Sequence, residues 1–320
     1  PREKLTKPVY ILSSDTLVET PLIVDFIKNN LQKMQAYSKL QGLPVETAPV
    51  KPKLDRSFWV SMIGRGYPPP RQKFRWCTDR LKIEPANRFI LDQVSKYGEV
   101  IVVLGVRKSE SATRAQVLNN HKVTGRILRR HSALPNAYVF APIEDFDVDD
   151  VWTFLLQYPS PWGGDNNQLL SLYQDSQSGD CPLVIDKDTP SCGNSRFGCW
   201  VCTVVQEDKS LMGFIDSGYE ELIPLLEFRN WLQEIRNNQD LREKKRMNGQ
   251  VYFVQNGDEQ KVGLGPFTLQ ARMLILKKLL QAEKAVGVTL IQDEELTLIR
   301  QQWQKRSMIS WSRTMAVLTM

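Results

Sequence analysis

Residues 99–114 read EVIVVLGVRKSESATR, a nearly continuous apolar run that gives way to a crowd of polar and charged side chains. The run from Glu99 to Val106 lacks alternation, as a strand buried on both faces of a parallel sheet would. Gly98 stands before it and Gly105 near its end. Just beyond, Arg107, Glu110, Ser111 and Arg114 gather where a helix begins. Free N–H groups at a helix start, helped by two arginines, suit a phosphate; a charged capping sequence is the plainer reading of the same residues.

Working upstream, Val9 to Ser13 form a short β-branched and aromatic run followed by the polar turn Ser14, Asp15, Thr16. In open α/β sheets the carboxyl ends of strands line the binding crevice, where Asp15 would accept hydrogen bonds from a ribose or an amine, or else simply cap the turn. Thr20 and Pro21 read as an N-cap and first-turn pair for a helix with Leu22, Ile23, Phe26, Ile27 and Leu31 on one face. A Pro-rich connector runs from Leu43 to Pro52, and a further helix is expected from Ala86 to Lys96. Downstream, Tyr138 to Ala141 reads as a strand, and Asp147 as the cap of a helix burying Val151, Trp152, Leu155 and Leu156. Strand, loop and helix repeat, so the expected fold is α/β, a doubly wound, mostly parallel sheet over residues 1–165. A cysteine-rich region follows over 166–230. Helical periodicity over Leu222–Leu241, Phe267–Val286 and Glu294–Trp303, with Thr268 a cap, predicts an all-helical appendage over 231–320 with a polar break from Asn248 to Gly265.

Between the first helix and the second, FWVSMIGRGYPPPRQKFRWCTDRLKIEP (58–85) sets Arg71, Lys73, Arg75, Arg80 and Lys82 among Tyr67, Phe74 and Trp76. Such interleaving neutralises phosphates and stacks on bases, though it also describes a solvated surface over core aromatics. Cys77 sits inside it, where positive charge is expected to lower a thiol's pKa. The net charge of +6, from 42 basic and 36 acidic residues, mildly favours a polyanionic partner. No apolar run is long enough to span a bilayer, so no membrane role and a reducing, cytoplasmic compartment are expected.

The remaining four of the chain's five cysteines, Cys181, Cys192, Cys199 and Cys202, fall in CPLVIDKDTPSCGNSRFGCWVC and close on a C-x-x-C pair. Thiolates this concentrated point to a metal centre. Spacing leaves a four-cysteine zinc site and a [4Fe-4S] cluster both open, with Gly193 and Gly198 allowing tight turns and Phe197 and Trp200 positioned to keep water away. His121 and His131 have no ligand company and read as loop residues.

Taken together, SSDTLVETP, FRWCTDRLKIEP, VLGVRKSESATR, APIEDFDVDDVW and SCGNSRFGCWVCTVV resemble the phosphoadenosine-phosphosulfate reductase-like branch of the ATP pyrophosphatases, over residues 8 to about 230. Within that branch the match is similar to the DndC sulfurtransferases of bacterial DNA phosphorothioation. The resemblance implies an adenine-nucleotide α-hydrolase-like sheet, ATP with Mg as a substrate, and a [4Fe-4S] cluster on the four cysteines. It also implies DNA as partner, a cysteine desulfurase as sulfur donor, and other Dnd-system proteins. Asp15 and Thr16 match the acid at the end of the family's second strand, near the nucleotide. Gly105, Arg107, Glu110 and Ser111 match G-x-R-x-x-E-S, with Arg114 after it, and Cys77, Arg80 and Lys82 match C-T-x-R-x-K-x-x-P. By this resemblance Cys77, Arg107, Glu110 and Arg114 are the catalytic candidates. Arg71, Lys73, Arg75, Arg80 and Lys82 are the DNA-binding ones.

One motif of the family, S-G-G-K-D-S, occurs nowhere in the 320 residues. Its backbone amides cradle pyrophosphate, so ATP binding without it is expected to be weak, and the strand, loop and helix that carry it would lie directly upstream of Pro1. Two rival functions follow from the same residues. They are a sulfonucleotide reductase acting on an adenylyl sulfate and a zinc-stapled DNA-binding module without catalysis.

Overall fold

The computed structural model describes residues 5–120, 125–176, 197–256 and 259–304. β1 (Val9–Ser14) leads into α1 (Pro21–Leu40), and the chain returns as β2 (Val45–Val50), parallel to β1 with Val9 opposite Val45. Pro21 occupies the first turn of α1, where a missing N–H costs nothing, but the Thr20 side chain makes no capping bond. β2 falls inside the expected Pro-rich connector. It tolerates Pro49 because it pairs only with β1 and leaves its other edge free.

Residues 54–83 are compact and irregular. Two π-helical turns, Val60–Gly64 and Thr78–Ile83, frame the proline run, and Phe58, Trp59, Val60, Met62 and Ile63 are buried. α2 (Glu84–Tyr97) follows and stops at Gly98, whose φ of 84° a side chain would disfavour. Edge-to-face contact of Tyr10 with Phe89 ties α2 to β1.

β3 (Val100–Val103) is parallel to β5 (Ala137–Phe140), with α3 (Ala112–Asn120) and the short β4 (Arg129–Arg130) between them in sequence. β4 joins β5 antiparallel, giving the order β3-β5-β4. Parallel pairing and α/β alternation are therefore present, but β1 to β5 form two separate sheets among the described residues, not one. The apolar run predicts burial on both faces of β3. Ile101, Val103 and Leu104 are instead 55%, 62% and 38% exposed, because β3 is only four residues long and has a neighbour on one side only.

Asp147 and Asp150 close a capping box on α4 (Val148–Gln157), and Asp165 caps α5 (Asn166–Asp175). α6 (Lys209–Asp216) and α7 (Ile223–Ile235) precede a hairpin of β6 (Phe253–Asn256) and β7 (Glu259–Val262), then α8 (Leu269–Val286) and helical residues 293–304. The hairpin corrects the all-helical reading of the C-terminal third. Thr268 caps α8 as expected, its hydroxyl accepting from the Ala271 N–H at 3.2 Å. The main core joins Val18 and Ile23, residues 58–63, Trp76, Trp200, Leu225 and Leu232 of α7, Ile275 and Leu279 of α8, and Ile299. Its members come from every third of the chain. No helix among the described residues is long and apolar enough to cross a membrane.

Candidate functional site

The turn after β1 is held by its own side chains. Asp15 Oδ1 accepts from the Leu17 N–H at 2.9 Å, Asp15 Oδ2 lies 3.3 Å from Lys51 Nζ, and Leu17 adopts φ 65°, a conformation non-glycine residues rarely take. This geometry turns Thr16 inward, where it is fully buried. Its hydroxyl donates to Glu19 Oε1 at 2.7 Å and lies 3.3 Å from Cys199 Sγ. Backbone pairing reinforces the contact: Glu19 bridges Cys199 and the Trp200 N–H donates to Val18 O at 3.1 Å. The strand end and the C-x-x-C pair, some 180 residues apart in sequence, are thus one structure.

Cys199 and Cys202 share a tight turn, the Cys202 N–H donating to Cys199 O at 3.0 Å. Trp200 is buried against Trp59 and Phe228, and Phe197 packs on Tyr173 and Phe214. Burial, and after it the Glu19 carboxylate, pushes the Cys199 thiol up to about 12, with Lys82 and Thr16 opposing. Arg229, also buried, donates from Nε to Cys202 O at 2.9 Å and from its other nitrogens to Val205 O and Gln206 O, pinning the loop after the cysteines to α7.

Cys77 precedes the π-helical turn Thr78–Ile83 and packs on the edge of the core, close enough to Cys202 for the two to interact electrostatically. Its basic neighbours predict a lowered pKa. The structure gives the reverse: burial, and after it Cys202, raises it. Arg80 donates to Ser61 Oγ at 2.9 Å and to Tyr67 Oη at 2.7 Å, its guanidinium stacked 4.4 Å above the Tyr67 ring. Arg71, Lys73, Arg75 and Lys82 are exposed.

On the other sheet, Glu110 lies between the two arginines, 3.6 Å from Arg107 and 3.2 Å from Arg114. Ser111 caps the start of α3, its hydroxyl accepting from the Arg114 N–H at 3.2 Å. Arg107 Nη1 is buried and has no hydrogen-bond partner among the described residues, a donor free for an anion. Gly105 has no backbone strain and only ordinary contact with Ile143. His131 accepts from the N–H groups of Ala133 and Leu134, as a loop residue. His121 lies outside the described residues.

Sequence reasoning passed over Glu19, Lys51 and Arg229. Glu19 lies inside SSDTLVETP, but its contact with Cys199 spans 180 positions, and Lys51 and Arg229 stand outside every quoted segment. Two clefts accompany the site: one of about 470 Å³ beside Asp79 and Arg88, another of about 350 Å³ between α1 and α5. Neither is lined by a candidate residue.

The described half of the cysteine set places two thiols in one tight turn, a donor pair that a metal or cluster could use. Cys181 and Cys192 lie outside the described residues, and among those described no third His, Cys, Asp or Glu joins the pair as a ligand.

The sequence profile of the phosphoadenosine phosphosulfate reductase domain matches residues 3–205. The chain belongs to this family. Members of the phosphoadenosine phosphosulfate reductase domain family are enzymes of sulfur chemistry that act on nucleotides. The matched span covers β1 to β5 and the C-x-x-C pair and stops short of α6. A second similarity is to the uncharacterized protein MJ0066 of Methanocaldococcus jannaschii, 26% identical over 150 residues. That match takes in 47% of this chain and 24% of the relative, so the chain spans about a quarter of that relative's length.

Proposed function

We propose that this chain serves a sulfurtransferase of DNA backbone phosphorothioation. One observation carries the reading: the turn after β1, the Cys199/Cys202 pair and Cys77 form a single site beside exposed basic residues. A non-bridging phosphate oxygen of DNA attacks the α-phosphorus of ATP, pyrophosphate leaves, and a sulfur nucleophile then displaces AMP, which departs with the oxygen. Arg107, with its unpartnered Nη1, and Arg114 stabilise the charge of the departing pyrophosphate, while Glu110 holds the two arginines in place. Cys77, loaded as a persulfide by a cysteine desulfurase, attacks with its outer sulfur, and a second thiol then cleaves the resulting S–S bond, releasing the phosphorothioate and leaving Cys77 in a disulfide with that thiol. Asp15 faces the nucleotide side. Cys181, Cys192, Cys199 and Cys202 would hold a [4Fe-4S] cluster, which supplies electron transfer or a sulfide-binding iron when bound.

The ATP step needs a phosphate-cradling loop that this sequence lacks. β1 and β3 each have one unpaired edge among the described residues, and Val9, Ile101 and Val103 are exposed there. The reaction belongs in the cytoplasm alongside the other Dnd proteins.

The test is made in cells supplying those proteins and a desulfurase, with phosphorothioate dinucleotides measured by mass spectrometry after nuclease digestion. Cys77→Ser should abolish them while leaving about four irons per chain in anaerobically purified protein. Normal modification in the variant would remove Cys77 as carrier. Stoichiometric zinc without iron would remove the cluster. Sulfite release from an adenylyl sulfate with a thiol donor would replace the reading with a sulfonucleotide reductase.

A further inference from the structure

Residues 242–246 read REKKR, a second basic run about 160 residues beyond the first. The fold brings the two together. The Phe267 N–H donates to Gly66 O at 2.7 Å, and Arg242 bridges Phe267 and stacks on its ring at 5.1 Å. Arg236, at the end of α7, donates from Nη1 to Thr203 O at 2.8 Å and reaches Pro70 O at 3.4 Å, while Arg242 Nη1 donates to Arg236 O at 2.6 Å. Arg71, Arg236 and Arg242 therefore meet at one seam.

Their partners there are carbonyl oxygens. None of Arg71, Lys73, Arg75, Lys82, Arg236, Arg242, Lys244, Lys245 and Arg246 forms an ion pair among the described residues. Arg236 Nε is buried with no hydrogen-bond partner. Burial, and after it the charge of Arg71, pushes the Arg236 guanidinium down, and burial and Arg71 together, with Tyr252 opposing, bring Arg242 down to about 10. Like charges packed together with no ion pair among the described residues repel one another until an anion arrives. Lys244, Lys245 and Arg246 continue outward into solvent from the seam, and Arg246 lies flat on the Tyr252 ring at 3.8 Å.

We infer that Arg71, Lys244, Lys245 and Arg246, held together by Arg236 and the buried Arg242 behind them, form one phosphate-binding face that holds a nucleic-acid backbone and leads it to the cysteine pair. The direction follows from connectivity. Thr203, whose carbonyl takes the Arg236 bond, is the residue after Cys202, and its hydroxyl donates to Pro70 O at 2.7 Å, one residue before Arg71. A strand lying along this face meets the thiol turn at one end and the 244–246 run at the other. The choice of DNA as occupant rests on the function proposed above. The existence of the face does not.

The experiment is fluorescence anisotropy of the chain with a labelled duplex of about twenty base pairs across a salt series, with no ATP or sulfur donor present. Each neutralised phosphate adds about 0.9 to the slope of log affinity against log salt. Lys244→Ala/Lys245→Ala/Arg246→Ala should therefore flatten the slope by about two to three and weaken binding at least about tenfold at low salt. The double variant Lys244→Ala/Lys245→Ala, which keeps the Arg246–Tyr252 contact, should flatten it by about two. Unchanged thermal unfolding shows that the fold is retained. Wild-type slope in both variants would overturn the face while leaving a DNA substrate standing. If the variants lose ATP binding in equilibrium dialysis but keep DNA binding, the cations serve a free nucleotide and the proposal fails. Duplex binding lost in the variants supports the face even if no phosphorothioate ever forms, so the two readings fail separately.

Discussion

Glu295 carries a carboxylate into the core, where only 1% of its surface remains exposed. It accepts from the Ser57 hydroxyl at 2.5 Å and the Gln292 N–H at 3.0 Å, and burial still raises its pKa above the usual carboxylate value. The sign of the linkage follows directly. As pH rises through the ordinary glutamate value the unfolded chain releases this proton first, so stability falls from there until the folded pKa is passed. Glu295→Gln has no charge to desolvate, but its amide has a single acceptor oxygen, so it keeps one of the two contacts and loses the other. Its urea midpoint relative to that of the wild type should therefore rise between pH 4 and pH 7, because only the wild type loses stability to this ionisation. A gap of equal size at both values would show that ionisation is not what the site resists. Burial also decides the thiols, since Cys77 sits among cations in sequence yet its nearest charged influence in space is Cys202.

At the scale of elements, the link between residues 242–246 and α8 depends on Gly265. A Cβ there would strike the carbonyl oxygens of Lys245 and Glu243, and the Gly265 N–H already donates to Glu243 O at 2.7 Å. Backbone atoms cannot rotate away as a side chain can. Gly265→Ala should therefore cost about 1–3 kcal/mol in chemical denaturation, while Gly249→Ala, in open space though at φ 84°, disturbs no neighbour. Elements that announce themselves locally were legible from sequence. α1, α4 and α8 follow from periodicity and caps, and β1, β3 and β5 from apolar runs. β2 was hidden by Pro44 and Pro49, which a one-sided edge strand tolerates, and the β6/β7 hairpin by its polar composition, although the sequence Asn256-Gly257 is itself a turn signal. The contact of Thr16 with Cys199 was not legible, because nothing local encodes a pairing across 183 positions.

For the whole molecule, what matters is that the C-terminal helices supply the core of the segment that carries Cys77. The Trp59 indole N–H donates to Leu290 O at 2.7 Å, Arg272 Nη1 donates to Gly64 O at 2.6 Å, and the Trp303 indole N–H donates to Ile63 O at 2.9 Å. Trp59 and Ile275 are both fully buried in the same cluster, although one belongs to the family-matched span and the other to α8 beyond it. Residues in one continuous core lose their contacts together, so the two halves should unfold in a single transition. Trp59→Ala should cost about 3–5 kcal/mol and Ile275→Ala about 2–5 kcal/mol, each from lost burial plus the cavity left behind. Both should lower the same calorimetric transition and leave none at the wild-type temperature. If Ile275→Ala shifts one transition while a second, sensitive to Trp59→Ala, stays in place, then α8 folds independently of the cysteine site. The basic run at 242–246 would then be tethered to the thiols without being fixed against them.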